Sequence, residues 1–526
     1  MRSFNVTGLC VPSKHYMVDI RKKIDKIIKL IDNGYYFTIN RARQYGKTTT
    51  LSQLRRIIAN DYICAYISFE GVGDEHFEES SAFCSMFLRK VSHALAFSSA
   101  PKEYAKEWLN ESASNFVLLS GHITRMCEDK KVVLLIDEID KSGNNRIMLH
   151  FLGMLRDKYL SRQDDMDYTF QSVVLAGVTD IKNIKLKMIN DGVYEPTAAE
   201  GKIYNSPWNI AADFNVDMSF SPAEITSMLS EYESEHYTGM DIMSVSEEIY
   251  LYTSGYPFLV SRICLCIEND LDRNWTKKGV QEAVKVILHE RNTLFDDLIK
   301  NLMNYRNLYK FLYSILIVGE RKSFMLYDDD VMLASTFGYV KSDIESRKVI
   351  ISNKIFEILM SDYFASRDIN ASRIESKISG VLYQDVVKDG VFDMELCLRK
   401  FAEHYTEIFA DEDIPFLERH GRLLFLSYIK PLVNGLGFYH IESQYTDQRR
   451  MDIIVDFGRE QFIIELKLWK GESKHQEAYE QLAGYMENKN ASSGFLLTFD
   501  FRKETNKQPK AEWIDYKGLR IFDVIV

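Results

Sequence analysis

Proline is scarce in this sequence, nine in 526 residues. That leaves no room for a proline-rich spacer and implies domains that abut closely. Cysteine is sparse as well. The seven thiols, Cys10, Cys64, Cys84, Cys127, Cys264, Cys266 and Cys397, are odd in number and scattered. No CxxC pair occurs, and the single residue between Cys264 and Cys266 is a poor zinc spacing. Reduced thiols in a cytoplasmic protein are the expectation. No apolar run approaches the ~20 residues of a membrane span. The start, Met1-Arg2-Ser3-Phe4-Asn5-Val6, lacks an apolar signal core, so a soluble chain with no membrane partner is expected. An excess of positive charge is missing too. The 65 Lys+Arg stand against 76 Asp+Glu, a net charge of −11. This disfavours an all-over nucleic-acid coat and leaves room for a local basic site.

What is present is ordinary globular composition, 46% hydrophobic and 27% charged. The length suits three or four compact units. Short apolar runs alternate with helical patterns over the first 180 residues. Strands are expected at Tyr35–Asn40, Tyr62–Phe69, Val132–Ile136 and Gln171–Ala176, with a helix beginning near Thr48. Strands separated by amphipathic helices indicate parallel βαβ units covered on both faces. From about 220 to 295 the strand signal fades, and Ser221-Pro222-Ala223-Glu224 reads as a capped helix start. Residues 296–378 hold a winged-helix-like unit with a hairpin-like stretch at Gly338–Ser352, and 379–526 form the last unit. The expected class is therefore a multi-domain α/β protein, divided 1–220, 221–295, 296–378 and 379–526.

The first chemical constellation is Arg41-Ala42-Arg43-Gln44-Tyr45-Gly46-Lys47-Thr48, after a strand and at a helix start. Helix N-terminal amides and the helix dipole favour an anion there. Gly46 lets the backbone come close to phosphate, Lys47 reaches the outer phosphates, and the Thr48 hydroxyl can ligate magnesium. Arg41 stands where the usual first glycine would be. The run Lys130–Asp140 ends five apolar residues on Asp137-Glu138. Asp137 suits a magnesium partner and Glu138 a general base; the alternative is a buried strand with acids at a helix cap. Beyond the fourth strand, Thr179 or Asp180 reads either as a γ-phosphate sensor or as a plain strand-end turn. Gly255-Tyr256-Pro257 reads either as a nucleotide contact or as a helix start with proline near N1.

Three runs carry a resemblance: Tyr36–Thr48, Leu135-Ile136-Asp137-Glu138 and Ser206-Pro207-Trp208-Asn209-Ile210. Over residues 1–290 the chain resembles the bacterial AAA-ATPase-like family, whose members carry an Arg-rich loop before Gly-Lys-Ser/Thr. The resemblance implies an ASCE-type P-loop NTPase core related to signal-transducing NTPases, with ATP and Mg2+ as cofactors. Its nucleotide state would couple to the helical and winged-helix regions. The implied nucleotide-contacting set is Arg41, Arg43, Gln44, Tyr45, Gly46, Lys47, Thr48, Thr49, Asp137 and Thr179. Gly255-Tyr256-Pro257 is similar to the Gly-x-Pro of such NTPases.

The second constellation is the run Arg449–Lys467. If Gly458-Arg459 forms a two-residue turn with glycine first, Phe457 faces Glu460 and Asp452 lies opposite Glu465. Opposed residues share a face, and Lys467, two residues on, points the same way. Opposed carboxylates repel unless a cation sits between them. A magnesium held by Asp452, Glu465 and the Leu466 carbonyl would resolve this and could activate a water, with Lys467 positioning the nucleophile. The alternative is a solvated hairpin face in which Lys467 neutralises the acids. Downstream, Gln481 and Tyr485 share a helix face.

Asp452, Glu465-Leu466-Lys467 and Gln481-Leu482-Ala483-Gly484-Tyr485 are similar to the PD-(D/E)XK nuclease superfamily, in its RecB-like branch, over residues 380–526. Met451 stands in place of the motif proline. The resemblance implies a restriction-endonuclease-like fold and metal-dependent cleavage of a nucleic-acid phosphodiester, DNA in the first instance. Gln481 and Tyr485 would support the site, and the family's helical glutamate falls on Glu418. Residues 401–526 hold 16 Lys+Arg against 21 Asp+Glu, yet Arg419, Arg422, Arg449, Arg450, Lys467 and Lys470 gather around the motif. The leading expectation is an ATPase–nuclease fusion under nucleotide control, suited by analogy to genome defence or DNA processing, with a homo-oligomer or a regulatory protein as further partners. The alternative is a nucleotide-dependent regulatory or scaffold protein whose nuclease-like fold is inactive.

Overall fold

The computed structural model describes residues 2–110, 112–142, 146–178, 208–318, 320–372, 383–388, 391–409, 418–433, 437–443, 451–457, 460–489, 491–500 and 509–526. The chain divides into two compact units: residues 1–280 with 334–338, and 281–333 with 339–526.

The first unit is built on four parallel strands, β1 (Phe37–Asn40), β2 (Ile63–Ser68), β3 (Val132–Asp137) and β4 (Ser172–Gly177). Their order is β1-β4-β3-β2. Thus β4 is inserted between the strand that precedes Gly-Lys-Thr and the strand that ends in the acidic pair. Every residue of β3 and β4 is buried. Continuous rather than alternating apolar runs are what central parallel strands require when both faces are covered. Burying each Val, Leu or Ile contributes roughly 1.5–3 kcal/mol, so Leu134→Ala in the middle of β3 should cost about 2–5 kcal/mol. Helices α1 (Arg21–Asp32), α2 (Lys47–Ile58), α3 (Ser80–Ala96) and α4 (Arg146–Gln163) belong to the same unit. Phe83, Phe87, Phe151 and Trp108 fill one side of the core. Trp208 is fully buried, its ring stacked 6.0 Å from Tyr36. Ser206 and Pro207 of the same run lie outside the described residues. Ala212 bridges to Phe37 and carries the sheet one step past β1.

The expected helix start at Ser221 is a complete capping box. Ser221 Oγ accepts from the Glu224 amide, and Glu224 Oε2 accepts from the Ser221 amide. It opens α5 (Pro222–His236), followed by α6 (Ile242–Thr253) and α7 (Pro257–Asp270).

In the second unit, α8 (Thr293–Asn304), α9 (Arg306–Tyr313) and the first residues of α10 (Asp329–Thr336), whose end from Ala334 belongs to the first unit, precede the short hairpin β5 (Val340–Ser342)–β6 (Val349–Ile351). The Phe324 amide donates to the Arg347 carbonyl, laying a third segment beside β6. The unit ends in a six-stranded sheet. Its strands are β7 (Gly437–Ser443), β8 (Met451–Phe457), β9 (Glu460–Leu468), β10 (Ser493–Phe499), β11 (Lys510–Tyr516) and β12 (Leu519–Ile525). The order is β11-β12-β10-β9-β8-β7. The β7–β8–β9 meander is antiparallel and β9–β10–β12 run parallel. Helix α11 (Glu472–Lys489) covers one face, packing Ala478, Tyr479, Leu482, Tyr485 and Met486 on Ile454, Ile463, Leu496 and Ile521. Ile453, Val455, Ile464 and Leu466, which alternate with that face, are also buried.

No helix among the described residues is long and apolar enough to cross a membrane.

Candidate functional site

The loop between β1 and α2 turns through two left-handed residues, Gln44 (φ 56°) and Gly46 (φ 77°). No atom would crowd a Cβ at Gly46, so its backbone conformation is what calls for glycine. Helix α2 then starts at Lys47 with no side-chain cap, leaving its first amides to an external acceptor. Lys47 is 7% exposed, and its Nζ donates to the carbonyls of Arg41 (2.9 Å) and Ala42 (3.0 Å). Burial pulls its pKa below the usual lysine value, and the carboxylates of Glu138, Asp140 and Asp137 oppose that pull.

Arg41 acts as a strut in this loop. Its guanidinium donates to the carbonyls of Asn40 and Val216, 2.7 Å each, and lies 5.5 Å over the Phe214 ring. A large residue is tolerated at the usual glycine position because its side chain is committed to the backbone beside β1. Tyr45 is also held from outside the loop. Its ring meets Tyr256 edge-on at 4.6 Å, and burial pushes its phenol up to about 12. The Thr49 hydroxyl accepts from the Cys10 amide at 3.3 Å. Arg43 is exposed, while Gln44 and Thr48 are half-buried.

Asp137 closes β3 and is 2% exposed. Tyr66 on the neighbouring β2 donates its hydroxyl to Asp137 Oδ2 at 3.0 Å, and the Glu138 amide donates to Oδ1 at 3.0 Å. Glu138 itself is left-handed, φ 52°. For a glutamate this costs on the order of 1 kcal/mol or more, and such strain gathers at functional positions. Burial raises the Glu138 pKa, the Asp137 charge raises it further, and Lys47 lowers it. Asp140 accepts a hydrogen bond from the Val178 amide at the end of β4. Thr179 and Asp180, the sensor candidates, lie outside the described residues. Tyr66 had no local signal: an aromatic residue in a strand reads as core.

In the second unit the register of β8 and β9 sets Phe457 against Glu460 and Asp452 against Glu465. Glu465 is 1% exposed, and Lys467 Nζ sits 2.6 Å from its Oε1. The two groups share a face as expected, and the lysine neutralises this acid directly. Asp456 is half-buried and accepts from Gln461 at 2.7 Å. Gln481 and Tyr485 stand on α11, which packs on the sheet face that carries Glu465. Leu466 points to the opposite face, so only its carbonyl could serve a metal. Asp452 is described by its backbone alone, as is Glu418, the first residue of the helix Glu418–Val433. The side chains of Arg419 and Arg422, and residues Arg449, Arg450, Gly458 and Arg459 entirely, lie outside the described residues. Among the described side chains no group of three or more His, Cys, Asp or Glu gathers as a metal set. The sheet also buries a trio not anticipated from sequence. Asp523 Oδ2 meets His475 Nε2 at 2.8 Å and accepts from the Tyr479 hydroxyl at 2.6 Å, tying the start of α11 to β12.

A family model described as an AAA-like domain matches residues 9–358. A comparison with curated proteins finds no match. Among solved structures, a Walker-type ATPase of Pyrococcus abyssi is 12% identical, with 68% of this chain and 99% of that chain covered and a TM-score of 0.46. Cdc6p from Pyrobaculum aerophilum is 12% identical, covering 66% and 94%, with a TM-score of 0.30. The ORC2 protein of Aeropyrum pernix, solved as ADPNP–ADP complexes, is 12% identical, covering 68% and 98%, with a TM-score of 0.28. Likenesses this loose transfer no property.

Proposed function

From the premise that this chain belongs to the AAA-like domain family, we propose that its first unit binds and hydrolyses ATP and that its second is a magnesium-dependent nuclease answering to the nucleotide state. The observation that carries the first half is that Lys47, at the uncapped start of α2 after β1, and Asp137-Glu138, at the end of β3, lie at the same carboxyl end of one parallel sheet. The donor set fits ATP with magnesium: α2 amides and Lys47 for the phosphates, Thr48 and Asp137 for the ion. Bound magnesium supplies charge neutralisation at the phosphates. Glu138, with its raised pKa, is suited to take a proton from the attacking water. The remaining members of the nucleotide set, Thr179 included, and the four-part division of the chain belong to this proposal. ATP hydrolysis that survives both Lys47→Ala and Glu138→Gln would overturn it.

The nuclease half rests on the register that opposes Asp452 to Glu465 with Lys467 on the same face. Magnesium would be held by Asp452, Glu465, the Leu466 carbonyl and Glu418. There it supplies Lewis acidity toward a phosphodiester, with DNA as the first substrate to try. Glu465, buried and already bound by one cation, has the chemistry of a cation ligand. The same 2.6 Å ion pair favours a second reading, in which the domain is an inactive scaffold. Incubating the protein with Mg2+ and DNA or RNA, with and without ATP, separates the two. Cleavage abolished by Asp452→Ala supports the nuclease; no cleavage of any substrate by the unaltered chain supports the scaffold.

A further inference from the structure

Four features of the first unit converge on one side of the phosphate loop. Helix α6 ends through two successive left-handed residues, Ser254 (φ 45°) and Gly255 (φ 74°). A Cβ at Gly255 would lie 1.9 Å from the Phe220 carbonyl oxygen, so only glycine fits there. Pro257 then starts α7 at once, and Tyr256, caught between them, is aimed with little freedom. Its ring is 2% exposed and edge-on to Tyr45, and its hydroxyl donates to the Arg43 carbonyl at 2.5 Å. Gly338 closes the same corner. A Cβ there would stand 2.8 Å from the Ala42 Cβ and 3.9 Å from Tyr256 Cε2.

We propose that Tyr256 is a positioning residue for the phosphate loop, its hydroxyl fixing the orientation of the peptide between Arg43 and Gln44. The inference rests on reading this loop as the phosphate site. A trans peptide is planar, with its C=O and N–H pointing in opposite directions. Drawing the Arg43 carbonyl to Tyr256 therefore turns the Gln44 amide to the other side. Without that bond the peptide has one restraint fewer against rotating to offer a carbonyl where an amide stood, which repels an anion. Arg41 cannot replace the restraint, because its guanidinium is spent on Asn40 and Val216. Gly46, left-handed and with open space where a Cβ would stand, adds none. The side chain in the middle of Gly-Tyr-Pro is thus a tie between α7 and the loop, whatever the proline does.

Tyr256→Phe keeps the ring against Tyr45 and deletes only the donor. Two measurements on the full chain test it. In the ligand-free protein, hydrogen exchange at the amides of residues 42–46 should quicken about fivefold to tenfold, the equivalent of one net hydrogen bond, while the melting temperature falls by no more than about 3 °C. In calorimetry, ATP and inorganic tripolyphosphate should weaken by the same factor, because the defect lies at the phosphates and not at the base. Tyr256→Ala should lower the melting temperature further. Unchanged exchange in Tyr256→Phe overturns the positioning role, as does binding of both ligands at the affinity of the unaltered chain. If the unaltered chain binds neither ATP nor tripolyphosphate, the phosphate-site reading falls and takes the inference with it, whatever the exchange arm shows.

Discussion

Each unit holds a lysine beside carboxylates, and the two lysines are used in opposite ways. Lys47 donates to two neutral carbonyls of its own loop, with the acids of β3 near enough to sway its pKa. Lys467 sits directly on Glu465, an acid with 1% of its surface exposed. A buried ammonium held by carbonyls keeps most of its charge for an incoming anion, at a standing desolvation cost. An ammonium paired with a buried carboxylate is already neutralised, and removing it strands an uncompensated charge. The first site is arranged to receive phosphate as it stands. To hold magnesium as proposed, the second would have to exchange one cation for another on Glu465. If the second unit is the nuclease proposed above, an acid paired with its own lysine would keep it quiet until the pair opens.

The largest expected effect is at the first lysine. Lys47→Ala should weaken ATP binding by 100-fold or more, read by calorimetry, while the melting temperature moves little because a costly buried charge leaves with its hydrogen bonds. A large drop in melting temperature with ATP binding retained would reverse the contrast. Lys467→Ala should behave the other way. It should abolish any magnesium-dependent cleavage and destabilise the chain by about 3 kcal/mol, the lower end for breaking a buried pair, since Lys467 is partly exposed. Denaturant titration reads this directly, and Lys467→Ala with Glu465→Gln together should recover most of the loss. If the double variant is no more stable than the single, Glu465 does not carry the cost.

Gly338→Ala comes next. Its φ is +74° and the new methyl would meet Ala42 at 2.8 Å. A cost of roughly 1–2 kcal/mol is expected from strain and crowding, with ATP affinity falling severalfold because Ala42 carries one of the two carbonyls that hold Lys47. Wild-type affinity in this variant would show that the loop is indifferent to its neighbour.

How much of this was legible before folding depends on the reach of each interaction. The hairpin register followed from alternation and a two-residue turn, both local, and the Ser221 capping box from four consecutive residues. That the Lys47 loop and the Asp137-Glu138 pair lie at one end of the sheet followed from the strand ends of a parallel sheet, a rule of topology. What stayed hidden was carried by partners far apart in sequence. Arg41, placed in the nucleotide set by resemblance, braces Val216, a partner the local motif gave no sign of. Tyr66 touches Asp137 on the neighbouring strand, and the direct Lys467–Glu465 contact of 2.6 Å was not fixed by alternation alone. Side chains at i and i+2 on a strand can meet or splay, and the choice lies with the helix that covers them.

Glu138 gives the smallest effect and the most direct check on which acids are poised. Burial and Asp137 raise its pKa in the folded chain above the unfolded value. Its contribution to stability is therefore fully present below the unfolded carboxylate pKa and is lost as pH rises through the folded one. Glutamine is neutral throughout. Glu138→Gln should accordingly melt about a degree higher than the unaltered chain at neutral pH, and the gap should close as pH falls through the raised pKa toward the ordinary glutamate range. Turnover should show the complement: the acid limb of kcat should lie above the usual carboxylate range, and Glu138→Gln should bind ATP without hydrolysing it. A melting difference that widens on acidification would mean Glu138 is held ionised in the folded chain. In that case the left-handed backbone at the end of β3 aims an ion-pair partner at Lys47 rather than a base at water.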